Sequence, residues 1–214
     1  MIVQKFYIML FDKFEVIIFD FDGVIVDSKE IRIKGFKEIF KNHKSSLVDQ
    51  LIKYHNANGG ISRYEKIKWF YKFILKQYLS EEQLSIKSNE FKEIMLKEMV
   101  NPNLIIRNTL DFIKKVHNKI PLHIISGSDE LELNFICKEL NIKKYFKTIK
   151  GSPKKKSNLI KEFIDGNNYT VQKIVYIGDS IIDHKCAKIN NISFYGFNNP
   201  DLLEISDFYI DNFQ

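Results

Sequence analysis

The sequence predicts an α/β protein: a parallel sheet sandwiched by helices, with an all-helical segment inserted after the first strand. Two kinds of observation predict it. Short apolar, β-branched runs at residues 16–19, 122–125 and 174–177 each end abruptly in aspartate, serine or glycine, as strands of a parallel sheet covered on both faces do. Between the first two runs, residues 23–125 are far more than a βαβ crossover needs, and most carry helical rather than alternating periodicity.

The first run continues as Ile17-Ile18-Phe19-Asp20-Phe21-Asp22-Gly23-Val24. Two carboxylates follow the strand directly, and the glycine lets the chain turn. In open α/β sheets ligands bind beyond the carboxyl ends of the strands, so Asp20 and Asp22 are expected to face a site rather than the core. One carboxylate can attack an electrophilic phosphorus while the second protonates the leaving oxygen and later draws a proton from water. Both also lie close enough to share a divalent cation. A strand-capping Asp-x-Asp-Gly turn, or a fragment of a calcium loop, accounts for the same residues.

Helical faces fill the insert. Ile33, Phe36, Ile39 and Phe40 form one apolar stripe, Ile67, Phe70, Ile74 and Tyr78 a second, and Phe91, Ile94, Met95, Glu98 and Met99 a third that is mostly apolar. Residues 69–73, led by Trp69, read as core of this segment. Within the insert, Asn58-Gly59-Gly60-Ile61-Ser62-Arg63-Tyr64-Glu65 is a Gly-rich loop in which Ser62 and Glu65 suit a capping box. His55, just before it, is a candidate substrate contact. Asn101-Pro102-Asn103 stops the last helix and returns the chain to the sheet.

The later segments extend the chemistry. Leu122-His123-Ile124-Ile125-Ser126-Gly127-Ser128 ends in hydroxyls and glycine, and Asp129 and Glu130 open a helix whose N-terminus, with the hydroxyl, makes a phosphate cradle. His123 lies inside that strand and reads as structural. Gly151-Ser152-Pro153-Lys154-Lys155-Lys156-Ser157 puts lysines on a loop, suited to neutralising a phosphoryl group. Ile174-Val175-Tyr176-Ile177-Gly178-Asp179-Ser180-Ile181-Ile182-Asp183 ends a strand in a second acidic pair, suited to a hard cation. Taken singly, these segments also read as a helix cap, a solvated basic turn and a surface loop.

Together and in this order, the four segments closely resemble the motif set of the haloacid dehalogenase-like superfamily of phosphohydrolases. The resemblance implies Asp20 as nucleophile and Asp22 as general acid/base, with the Asp22 backbone carbonyl also on the metal. Ser126 matches the hydroxyl that holds the phosphoryl, and Lys156 the lysine that steadies nucleophile and phosphate, through a Gly-x-Pro-x-x-Lys variant of the third motif. Asp179 matches the metal-binding acid and Asp183 the second acid of the last motif. The implied fold is a Rossmann-like core, residues 1–26 and 103–214, with a C1-type helical cap over 27–102. Gly60 to Arg63 resemble a Gly-Val-Ser-Arg loop in the cap of β-phosphoglucomutase, which makes Gly60 and Arg63, with Gly127 and Ser128, the implied substrate contacts.

The implied activity is Mg²⁺-dependent hydrolysis of a small phosphate monoester through an aspartyl-phosphate. Asp22 argues for this branch, because a carbon–halogen leaving group needs no proton. A sugar phosphomutase using the same aspartates, and a regulatory protein that binds phosphate ligands without turnover, are the alternatives. The expected partner is a small-molecule phosphate ester. The net charge of +6 comes from 33 basic residues, mostly lysines interleaved with glutamate along helices, so no nucleic-acid partner is expected. Cys137 and Cys186 lack metal-ligand spacing and read as reduced thiols of a cytoplasmic protein. The apolar run at residues 6–11 is too short for a signal sequence or a membrane span. Residues 1–12 and the oligomeric state carry no assignment.

Overall fold

Strand β1 (Val16–Phe19) is buried on both faces, so an unbroken apolar run rather than an alternating one forms it. Successive side chains point to opposite sides. Ile17 and Phe19 join one apolar cluster, and Val16 and Ile18 join another. The computed structural model describes residues 10–213. The first nine residues of the expected core segment, and most of the unassigned stretch 1–12, lie outside them.

Five more strands complete a sheet: β2 (Leu122–Asp129), β3 (Thr148–Ser152), β4 (Ile174–Gly178), β5 (Ser193–Phe197) and β6 (Phe208–Ile210). All pair in parallel in the order β3-β2-β1-β4-β5-β6. The chain winds outward from β1 through β2 to β3, then returns to lay β4 on the other side of β1. That reversal opens a crevice at the carboxyl ends of β1 and β4, where ligands bind in such sheets.

Among the described residues, four helices follow β1 in turn: α1 (Lys29–Ile39), α2 (Ser45–Ala57), α3 (Arg63–Trp69), which runs on into a π-turn over Phe70–Leu75, and α4 (Glu81–Glu98). They pack through aromatic contacts. Phe36 of α1 lies 4.6 Å from Phe91 of α4, Phe40 lies 4.5 Å from Phe70, and Tyr54 stacks on Trp69 at 3.9 Å. Four further helices sandwich the sheet: α5 (Arg107–Val116) and α6 (Glu130–Glu139) bury Phe112, Ile113, Leu133 and Ile136 in the first cluster, while α7 (Lys156–Asp165) and α8 (Ile181–Ile189) bury Leu159, Ile160, Cys186 and Ala187 in the second.

Some expectations need correction. Tyr78 is 87% exposed rather than on an apolar face, and Phe73 is 55% exposed rather than in the core of the insert. The π-turn carries an extra residue per turn, and Lys76, at φ 53°, ends the helix before Tyr78. Gly151 and Ser152 belong to β3 rather than to a loop. Ser62 accepts from the Glu65 amide at 3.3 Å, one half of the expected box. Cys137 and Cys186 are both buried and unbridged, and among the described residues no helix is long and apolar enough to cross a membrane.

Candidate active site

The ends of β1 and β4 carry acids to one place. Carboxylate oxygens of Asp20, Asp179 and Asp183 all lie within 4.8 Å of one another. The Asp20 amide donates to the Ile177 carbonyl at 2.9 Å, which ties the residue between the two strands. Its side chain accepts from the Phe21 amide at 2.7 Å. Asp183 sits in the first turn of α8, where it and Ser180 form a reciprocal capping box. Gly23, at φ 74°, holds the turn after Asp22, and a Cβ there would lie 2.0 Å from Asp179 Oδ2. Only glycine lets the two acidic loops come this close.

Lys156 opens α7 and is 6% exposed. Its Nζ lies 3.0 Å from Asp20 Oδ2 and also pairs with Asp183 Oδ1. Lys154 instead pairs with Glu162 on the surface, and Lys155 is exposed. The geometry therefore selects one lysine of the run. Ser126, at the end of the regular part of β2, is buried and accepts from the Ser128 amide at 3.3 Å. Ser126, Gly127 and Ser128 line a cavity of about 500 Å³ with Asp20, Asp22, Asp179, Gly60 and Arg63.

Asp22 stands apart from the acidic trio. Its Oδ1 accepts from Ser28 Oγ at 2.5 Å and from Arg32 Nε at 3.0 Å, and its Oδ2 from Ser128 Oγ at 2.5 Å. Burial opposes its ionisation, but the Arg32 charge and the Ser128 and Ser28 hydroxyls outweigh burial and hold its carboxyl below the usual range. Asp20 is the opposite case. Burial, with Asp183 and Asp22 nearby, pushes it up to about 7 even though Lys156 pulls it down. Burial and the charges of Asp183 and Asp20 raise Asp179 well above the carboxylate range. Lys156 is buried too, yet Asp183 and Asp20 hold it firmly protonated. Three converging carboxylates with one ammonium are short of positive charge, and an all-oxygen set of this kind fits a hard divalent cation.

The Gly-rich loop closes over this centre. Gly60 is at φ 79°, and a Cβ there would lie 2.8 Å from Ser180 Oγ and 3.3 Å from Lys156 Nζ. A Cβ on Gly127 would lie 2.2 Å from the Gly60 carbonyl oxygen. Glycines at 60 and 127 thus let the insert and the β2 loop touch. Arg63 lines the cavity, but its guanidinium is engaged: Nη2 lies 2.5 Å from Glu132 Oε2. Glu132, wholly buried on α6, also pairs with Arg32 at 3.1 Å. One carboxylate from the sheet side therefore holds two arginines of the insert. Tyr64 adds a bond of 2.8 Å to Asp129. His55 lines the cavity as well, with Nδ1 2.9 Å from the buried Lys66 ammonium. His123 is buried in β2 and bonds Thr148 Oγ1 at 2.7 Å.

Sequence reasoning missed Ser28, Arg32, Glu132 and Lys66. A signal was present for the last three, since each charge falls on an apolar helical stripe: Arg32 four before Phe36, Lys66 four before Phe70, Glu132 four before Ile136. A charge on a buried stripe requires a partner or a function.

The acidic crevice lies at the reversal point of the parallel sheet, where α/β folds bind their ligands. The family model for haloacid dehalogenase-like hydrolases matches residues 17–197, and the chain belongs to that family. A phosphorylated carbohydrates phosphatase of Thermotoga maritima is 23% identical over 194 residues, covering 85% of this chain and 84% of that protein. Among solved structures, β-phosphoglucomutase from Clostridium difficile superposes with a TM-score of 0.76 at 21% identity, covering 94% of this chain and 92% of that one. CbbY from Rhodobacter sphaeroides, solved as a mutant with xylulose-(1,5)bisphosphate, superposes with a TM-score of 0.74 at 17% identity, covering 94% and 95%.

Proposed function

We propose that the protein is a Mg²⁺-dependent phosphatase that hydrolyses a small phosphate monoester through an aspartyl-phosphate on Asp20. The observation that carries this reading is the meeting of Asp20, Asp179 and Asp183 within 4.8 Å, beside Lys156 at 3.0 Å from Asp20. Asp20, Asp179 and the Asp22 backbone carbonyl would hold the ion, with Asp183 as outer acid. When bound, Mg²⁺ supplies positive charge against the phosphoryl oxygens and keeps buried Asp20 ionised.

This chain's own residues do the rest. Ser126 and Lys156 hold the phosphoryl against Asp20, whose carboxylate attacks phosphorus in line as the ester oxygen leaves. As it stands, Asp22 is an ionised carboxylate, the form that draws a proton from water in the hydrolytic half. To protonate the leaving oxygen it must first turn from Arg32, Ser28 and Ser128 and take up a proton. We also assign residues 1–26 and 103–214 to a core and 27–102 to a cap that shuts water out, consistent with Gly60 packing on Gly127.

A phosphomutase is the second reading, favoured by the Gly60-to-Arg63 loop lying over Lys156. Phosphate release from simple monoesters against isomerisation of sugar phosphates primed by a bisphosphate separates the two. The primary test is Asp20→Asn, which is expected to abolish Mg²⁺-dependent hydrolysis of p-nitrophenyl phosphate with the fold intact. Activity within tenfold of wild type overturns the assignment.

A further inference from the structure

We propose that Lys66 receives a second anionic group of the substrate, a carboxylate or a second phosphoryl, so that the preferred ester carries negative charge at both ends. This deepens the phosphatase reading and rests on it. Buried cations surround the cavity. Arg32 pairs with Asp22 and Glu132, Arg63 with Glu132, and Lys156 with Asp20 and Asp183. Lys66 is 4% exposed and lines the same cavity, but among the described residues it has no carboxylate within ion-pairing distance.

Among the described residues the ammonium's one hydrogen-bond partner is His55 Nδ1, at 2.9 Å. Burial, with Lys66 and Arg32 close by, drives the His55 pKa down to about 3, so the ring is neutral and its Nδ1 accepts from the ammonium. One proton of the ammonium is thereby fixed, and two remain for a ligand. Burial and the Arg32 charge bring Lys66 itself down to about 7 against the weaker pull of Asp22 and Asp179, neither of which lies within ion-pairing distance. Such an arrangement is expensive for a fold to keep unless something arrives to complete it.

The missing partner enters through the cavity. A hydroxyl would accept a hydrogen bond but leave the charge uncompensated, whereas an anion supplies both. It is not the reacting phosphoryl, which belongs to Asp20, Ser126 and Lys156 at the strand ends, while Lys66 projects from α3 in the inserted helices. His55 acts as a positioning residue that orients the ammonium.

The test uses two pairs of esters that differ in one anionic group: 3-phosphoglycerate against glycerol 3-phosphate, and fructose 1,6-bisphosphate against fructose 6-phosphate. Binding is measured by calorimetry to the Asp20→Asn protein with Mg²⁺, and turnover to the wild type. At least one pair is expected to show a tenfold or greater preference for the two-anion member. Adding Lys66→Met is expected to cut that preference at least tenfold, expressed in Kd and KM rather than kcat. Lys66→Gln gives a second variant if the first misfolds, and a thermal melt at or above the parent checks the fold.

Equal affinity within both pairs overturns the proposal, and so does a Lys66 variant that weakens both members alike, the result of a lysine that merely supports Asp22. A binding preference without turnover of any ester would leave the anion receptor standing and remove the phosphatase reading. Turnover without a preference does the reverse.

Discussion

Glu132→Gln removes a carboxylate that ties two arginines of the inserted helices to α6. Glu132 is wholly buried, and the side chains of Arg32 and Arg63 are 10% and 4% exposed, at 3.1 and 2.5 Å from its oxygens. Breaking a buried pair leaves an uncompensated charge that costs about 3–5 kcal/mol. In a domain of this size that lowers Tm by roughly 6–20 °C. Most of the penalty is the stranding of Arg63, since Arg32 retains Asp22. The double variant Arg63→Met/Glu132→Leu removes both members of the shorter pair and is expected to recover most of the loss, to within about 2 kcal/mol of wild type. Urea denaturation followed by circular dichroism measures both. A Glu132→Gln protein less than 1 kcal/mol below wild type, or a double variant no better than the single one, shows that the buried pair does not carry this stability.

Other outcomes follow from the acidic centre. Gly23→Ala would place a methyl 2.0 Å from Asp179 Oδ2 on a backbone at φ 74°, so it is expected to lower kcat/KM at least a hundredfold while costing about 1–3 kcal/mol of stability; steady-state kinetics and a melt check it. The metal-free protein is expected to lose stability as pH rises from about 4 to 7. Burial pushes Asp20 from its ordinary 3.8 up to about 7 in the fold, so the folded state binds the extra proton across that window. The single-site loss approaches about 4 kcal/mol at neutral pH. Mg²⁺ is therefore expected to raise Tm more at pH 8 than at pH 5, and an equal rise at both contradicts this.

The strands that bear the site were readable because each is an apolar run cut off by a polar or glycine residue, and parallel burial on both faces produces that pattern in β1, β2 and β4. Strand β3, with its exposed Thr148 and Lys150, β5, interrupted by Gly196, and the three-residue β6 lie toward the sheet edges and carry weaker patterns. Asp20, Ser126, Lys156, Asp179 and Asp183 were legible as motif positions, and folding gathers the three acids within 4.8 Å of one another with Lys156 paired to Asp20 and Asp183. Asp22 was legible as a carboxylate but not as the partner of Arg32, since ten residues and a turn separate them. Glu132 and Arg63 are 69 residues apart, and helical periodicity says nothing about pairing across such a gap. Tyr78 failed because periodicity cannot foresee a π-turn.

The proposed mechanism turns on Asp20 as the nucleophile. Rapid acid quench during turnover with Mg²⁺, followed by mass spectrometry of the peptide containing Asp20, tests it most directly. A phosphoryl group on Asp20 that forms and decays at rates compatible with kcat is the predicted result. Full turnover with no phosphorylated Asp20 at any quench time, or with the group on another residue, contradicts it.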